Sequence, residues 1–135
     1  MVAVAMNHFT VIAKNLSETK EFYCQFLDLK VGYRPDLGFP GVWLYANEKP
    51  VLHIVAGREL PEEPSGVLDH MAFTGKDINK ILLKFKANNI DYSLKKQSET
   101  NIWQLFFHDP NGAKVELDFP ASEKPDLVPA NIDDI

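Results

Sequence analysis

The sequence predicts an α+β fold built from two tandem βαβββ modules whose mixed sheets curve around a cavity. Three observations carry this. Short apolar runs alternate with period two, two longer runs carry apolar residues at helical spacing, and both halves of the chain repeat one order of elements.

The first module is expected over residues 1–56. Residues 7–13, NHFTVIA, alternate and are rich in Val, Ile, Thr and Phe, so they read as a strand. Asn15 and Ser17 offer helix N-caps, with Glu18 and Glu21 in the first turn. Leu16, Phe22, Tyr23, Phe26 and Leu27 form the apolar stripe of a helix running to about Leu29. Arg34 to Gly41, broken by Pro35, Gly38 and Pro40, reads as loop with at most short extended pieces. Val42–Tyr45 and Val51–Val55 read as strands joined by the turn Asn47-Glu48-Lys49-Pro50.

A polar linker, GRELPEEPSG at 57–66, separates this from the second module at 67–119. There, Val67–Thr74 reads as a strand. Asp77 can cap a helix bearing Ile78, Ile81, Leu82 and Phe85, which Asn88-Asn89 ends. Tyr92–Lys95, Ile102–Phe107 and Ala113–Phe119 complete the set, the last two joined through His108-Asp109-Pro110-Asn111-Gly112. Asn-Gly is a tight-turn signal, because both residues tolerate positive φ. Residues 120–135, with Pro125 and Pro129, read as an extended C-terminal tail.

Composition narrows the function. With 45% hydrophobic and 24% charged residues the balance is that of a globular protein. A net charge of −5 and no densely basic stretch argue against nucleic acid or an anionic membrane as partner. No apolar run is long enough to span a bilayer, and MVAVAMNHF lacks the basic start of a signal peptide. One cysteine, Cys24, excludes an intrachain disulfide, so a cytoplasmic location is the expectation. On the apolar side of its helix, Cys24 reads as a buried, inert thiol.

The repeat gives the histidines their meaning. His8 and His70 fall on the first strand of each half, 62 residues apart, and His53 and Glu116 on the last strand, 63 apart. A pseudo-twofold relation between the halves would let these four side chains converge. Period-two alternation places His8 with Thr10, His53 with Val51 and Val55, His70 with Ala72 and Thr74, and Glu116 with Lys114 and Asp118. The opposite rows, among them Val11, Leu52, Ile54, Met71, Val115 and Leu117, are more apolar and suit helix packing. A lone strand histidine is more often a packed or surface residue, and His108, before the turn, is read that way. A carboxylate inside Val-Glu-Leu is different, because buried and unpaired it is costly and needs a cation or hydrogen bonds. Imidazole with carboxylate suits one borderline divalent metal, Zn, Ni, Co, Mn or Fe(II), over Ca or Mg. Such an ion polarises a carbonyl or stabilises an enediolate, and as iron could activate dioxygen. Around it, Thr10, Trp43, Gln104 and Phe106 are candidates for substrate contact by strand position. Arg34 and Arg58, the only arginines, are candidates for an anionic group.

The repeated units, Asn7-His8-Phe9-Thr10, Asp69-His70-Met71-Ala72, and Asp109-Pro110-Asn111-Gly112 with Val115-Glu116-Leu117 resemble the glyoxalase / bleomycin-resistance / dioxygenase (vicinal oxygen chelate) superfamily over nearly all of 5–119. The stretch 38–55 is similar to a glyoxalase-like subgroup. The resemblance implies metal ligands at His8, His53, His70 and Glu116, a proton-moving role for Glu116, and a homodimer acting on a small molecule with vicinal oxygens. It implies lyase or isomerase chemistry of the lactoylglutathione lyase type. Glyoxalase I enzymes carry Glu where this chain has His53, and glutathione contacts where it has Ile12 and Gly57, so glutathione use is not implied. Fosfomycin-type thiol transferases have an Arg where Phe119 stands. That reading, an Fe(II) extradiol-type dioxygenase and a metal-free small-molecule binding or resistance protein are the alternatives.

Overall fold

The computed structural model describes residues 1–126 and divides the chain into two units, Met1–Pro64 and Ser65–Ile135. Unit 1 holds β1 (Phe9–Ile12), α1 (Leu16–Leu27), β2 (Lys30–Gly32), β3 (Gly41–Ala46) and β4 (Lys49–Val55). Unit 2 holds β5 (Met71–Thr74), α2 (Ile78–Ala87), β6 (Ser93–Lys96), β7 (Trp103–His108) and β8 (Lys114–Phe119). The sheets have matching topology, β1-β4-β3-β2 and β5-β8-β7-β6. In each, the first strand runs parallel to the last and the remaining pairs are antiparallel. The expected α+β class and repeated βαβββ order are therefore present.

In unit 1 the Asn15 side chain caps α1, accepting from Glu18 N–H at 2.9 Å. The helix ends at Leu27, two residues earlier than the spacing suggests, because Asp28 turns left-handed at φ 56°. That early stop frees Lys30–Gly32 to pair with Trp43–Tyr45 as an edge strand. All three of its residues are exposed, so no apolar alternation marks it in the sequence. Asn47 and Glu48 both take positive φ and close the two-residue hairpin between β3 and β4. Phe22, Tyr23 and Phe26 of α1 are buried with Leu44, Leu52 and Ile54 to form this unit's core. Cys24 is only half-buried, since the helix buries the turn positions on either side of it.

In unit 2 the core is Ile78, Ile81, Leu82 and Phe85 of α2 with Leu105, Phe107, Val115 and Leu117. Phe85 meets Phe107 edge-on at 4.9 Å between centroids. The expected cap of α2 is replaced. Asp77 is left-handed at φ 65° and makes no side-chain cap bond. Glu123, from beyond the last strand, accepts instead from the N–H groups of Asp77 at 3.0 Å and Ile78 at 2.7 Å. Trp103 Nε1 donates to the Glu123 carbonyl at 2.9 Å, and Asn79 bonds both Lys124 and Asp126. The start of the tail is thus docked on α2, and residues 127–135 of that segment lie outside the described residues. The β7–β8 turn is organised by Asp109, whose Oδ1 accepts from Asn111 and Ala113 N–H at 2.8 and 2.9 Å. Of the Asn-Gly pair only Gly112 takes positive φ. Strand β5 starts at Met71, later than expected, leaving Val67 and Leu68 exposed. Among the described residues no helix is long and apolar enough to cross a membrane.

Candidate metal half-sites

In unit 1, His8 lies one residue before β1, and register pairs Thr10 with His53 and Trp43 with His53. Thr10, His53 and Trp43 thus share the face opposite the Leu44–Leu52 row. Their rings stack: His8 on His53 at 3.7 Å and 15°, and His53 on Trp43 at 3.9 Å and 9°. His8 Nδ1 is 2.7 Å from Asn7 Oδ1, an oxygen that only accepts, so Nδ1 donates to it and the ring turns Nε2 the other way. His53 is the reverse. Its Nε2 donates to the Pro50 carbonyl at 3.1 Å, leaving Nδ1 as the acceptor. Burial first, then the neighbouring His8, hold the His53 pKa below the ordinary imidazole value.

In unit 2, His70 likewise lies one residue before its strand, and Phe106, Glu116 and Ala72 share one row across the sheet. His70 Nε2 is 2.9 Å from Glu116 Oε1, and its Nδ1 donates to Asp69 at 2.7 Å. Asp69 is pulled below the usual carboxylate range by that bond and then by Lys114, 3.8 Å away. Glu116 is buried, with Gln104 Nε2 at 3.4 Å from Oε2 and the edge of Phe106 5.8 Å from the His70 ring. Asp118, two positions along β8, has its carboxyl pushed up to about 7 by burial and by Glu116, and its Oδ1 is shut from solvent with no partner.

Each unit therefore joins two of the expected ligands, His8 with His53 and His70 with Glu116. Among the described residues no group of three or more His, Cys, Asp or Glu side chains is arranged to hold a metal ion. The chemistry of the donors nonetheless fits one. Ligands bound cis on an ion at 2.0–2.2 Å lie roughly 3 Å apart, the spacing of His70 Nε2 and Glu116 Oε1. In both units the residue before the histidine orients the ring through Nδ1, as supporting partners of metal-bound imidazoles do. Sequence reasoning gave Asn7 and Asp69 no role. Their signal was present as a polar residue followed by His, repeated at the 62-residue interval.

The other candidates separate. Gln104 and Phe106 lie against Glu116 and His70, Trp43 caps the imidazole stack, and Thr10 is exposed beside His53. Arg34 is half-buried and Arg58 exposed, on the ring of Phe39 at 5.0 and 5.5 Å.

A repeated βαβββ fold whose halves each set a histidine before the first strand and a ligand-type side chain on the last defines the vicinal oxygen chelate class of protein. The family model described as Glyoxalase/Bleomycin resistance protein/Dioxygenase superfamily matches residues 5–117, and the chain belongs to that superfamily. It is 27% identical to Glyoxylase I 4 of Arabidopsis thaliana over 121 residues, spanning 84% of this chain and 69% of that one. It is 26% identical to the uncharacterized protein YaeR of Escherichia coli K12 over 120 residues, 83% of this chain and 93% of that one. The fold also matches the fosfomycin resistance protein FosX of Listeria monocytogenes, crystallised as a variant complexed with Mn(II) and a dihydroxypropylphosphonic acid. That likeness has a TM-score of 0.70 and 16% identity, covering 88% of this chain and 94% of the other.

Proposed function

We propose that this protein is a divalent-metal-dependent enzyme of glyoxalase-like type, acting on a small metabolite with vicinal oxygens. The observation that carries the reading is the buried Glu116 carboxylate facing His70 Nε2 at 2.9 Å, with Asp69 fixing the same ring from behind. The residues that would hold the metal are His8 and His53 in the first unit and His70 and Glu116 in the second. The Mn(II) in the FosX complex supports a metal of this kind, Zn, Ni, Co, Mn or Fe(II), on a matching fold. When bound, the metal would act as a Lewis acid that polarises a substrate oxygen.

The chain's own residues supply the rest. Glu116, buried and within 3.4 Å of Gln104 Nε2, is the base that takes a proton from the hydroxyl-bearing carbon beside the substrate carbonyl and returns it to the former carbonyl carbon, while the hydroxyl proton passes to the other oxygen. Phe106 and Trp43 wall the donors, and Thr10 offers a hydroxyl beside them. The working form is a cytoplasmic homodimer in this reading.

Exchange of solvent deuterium into dihydroxyacetone tests the chemistry directly. The reading expects exchange that stops on chelation, returns with added metal and is lost in Glu116→Gln. Metal-loaded protein that binds the probe without exchanging its protons would make this a binding protein instead.

A further inference from the structure

Arg34 is an unneutralised cation held in a prepared setting. Its Nη2 donates to the Phe39 carbonyl at 3.0 Å, and the guanidinium lies 5.0 Å from the Phe39 ring centroid. It also rests on bare backbone: a Cβ added to Gly41 would meet Nη2 at 2.9 Å. Gly41 alternates with Trp43 on β3, so this places the charge on the face that carries the His8–His53–Trp43 stack. No acidic side chain among the described residues pairs with Arg34, and its Nε is closed to solvent without an acceptor. A half-buried guanidinium lacking a counter-ion carries an uncompensated desolvation cost that a bound oxyanion would offset. Arg58 does not share this setting. It is exposed, with its guanidinium 5.5 Å from the Phe39 ring centroid.

We propose that Arg34 anchors a carboxylate of the substrate, so that the metabolite is a vicinal-oxygen acid. This rests on the reading that the unit 1 face receives such a metabolite. The planar guanidinium fork matches a carboxylate, and Phe39 and Gly41 hold its plane in place.

With only two arginines in the chain, their Nε–Hε resonances are resolved and assigned by Arg34→Lys and Arg58→Lys. The probes are glycolate, its neutral amide glycolamide, and methylphosphonate, each titrated into chelator-treated protein. The proposal expects a saturable shift of the Arg34 resonance with glycolate, none with glycolamide, and binding about tenfold weaker or more in Arg34→Lys. Equal responses to acid and amide, no response of Arg34 with or without added metal, or a response to methylphosphonate alone would each overturn it. Arg34→Gln should still take up metal as the wild type does. An Arg34 response in protein that binds no metal therefore separates failure of the metal reading from failure of this one.

Discussion

Nε2 of His70 stands 2.9 Å from Oε1 of Glu116 while Nδ1 of the same ring is tied to Asp69 at 2.7 Å. One nitrogen is aimed at the buried carboxylate and the other is fixed from outside. Asp69 therefore acts on a metal only through the ring it orients. Asp69→Ala is expected to weaken metal affinity by about 10–100-fold, without abolishing binding, in a chelator competition titration. Asn7→Ala, which releases the His8 ring in the same way, should fall in the same range.

Glu123 gives a second expectation, on stability. It supplies both acceptors to the start of α2. Glu123→Ala should cost about 0.5–2 kcal/mol in urea unfolding, the range of a lost helix cap. Asp77→Gly should not lower stability, since Asp77 caps nothing and stands at φ 65°, where glycine fits freely.

The Cys24 thiol is pushed up by burial, partly countered by Lys20 and Lys30. A raised pKa keeps the thiol protonated, and the thiolate is the reactive form. Alkylation by iodoacetamide should therefore be slower than that of a free thiol at pH 8, with its rise displaced to higher pH. Unfolding in urea should restore the ordinary rate. A folded-state rate equal to that of the unfolded chain would contradict this.

The stack of His8, His53 and Trp43 gives a structural expectation for unit 1. His53→Ala removes the ring between two others and the bond to Pro50. A loss of about 1–3 kcal/mol is expected in urea unfolding. Trp43 emission should change with it, and a Trp103→Phe background isolates that signal.

What the sequence conveyed well was whatever depends on local period and on the repeat. Alternation marked β4, β7 and β8, helical spacing marked α1 and α2, and the repeat set His8 and His70 at matching positions just before the first strand of each unit. What it hid depends on contacts between distant residues or lacks apolar contrast. Strand β2 is wholly exposed, so nothing distinguished Lys30–Gly32 from loop. The cap of α2 comes from Glu123, some 45 residues away, so the nearer Asp77 was the natural but mistaken choice. The expected stripe residues Phe22, Tyr23 and Phe26 are buried, but Cys24 lies at the margin of that face and is only half-buried. The same-nitrogen orientation of His8 and His70 by Asn7 and Asp69 needed side-chain geometry to be seen.

The central claim is the proposed metal dependence carried by His8, His53, His70 and Glu116, and elemental analysis of the purified protein tests it most directly. The account predicts about one divalent ion per chain in the wild type, lost in both His8→Ala and Glu116→Gln when each is folded by circular dichroism. Unchanged metal content in both variants, or a wild type that neither carries metal nor is stabilised by adding it, would contradict the account.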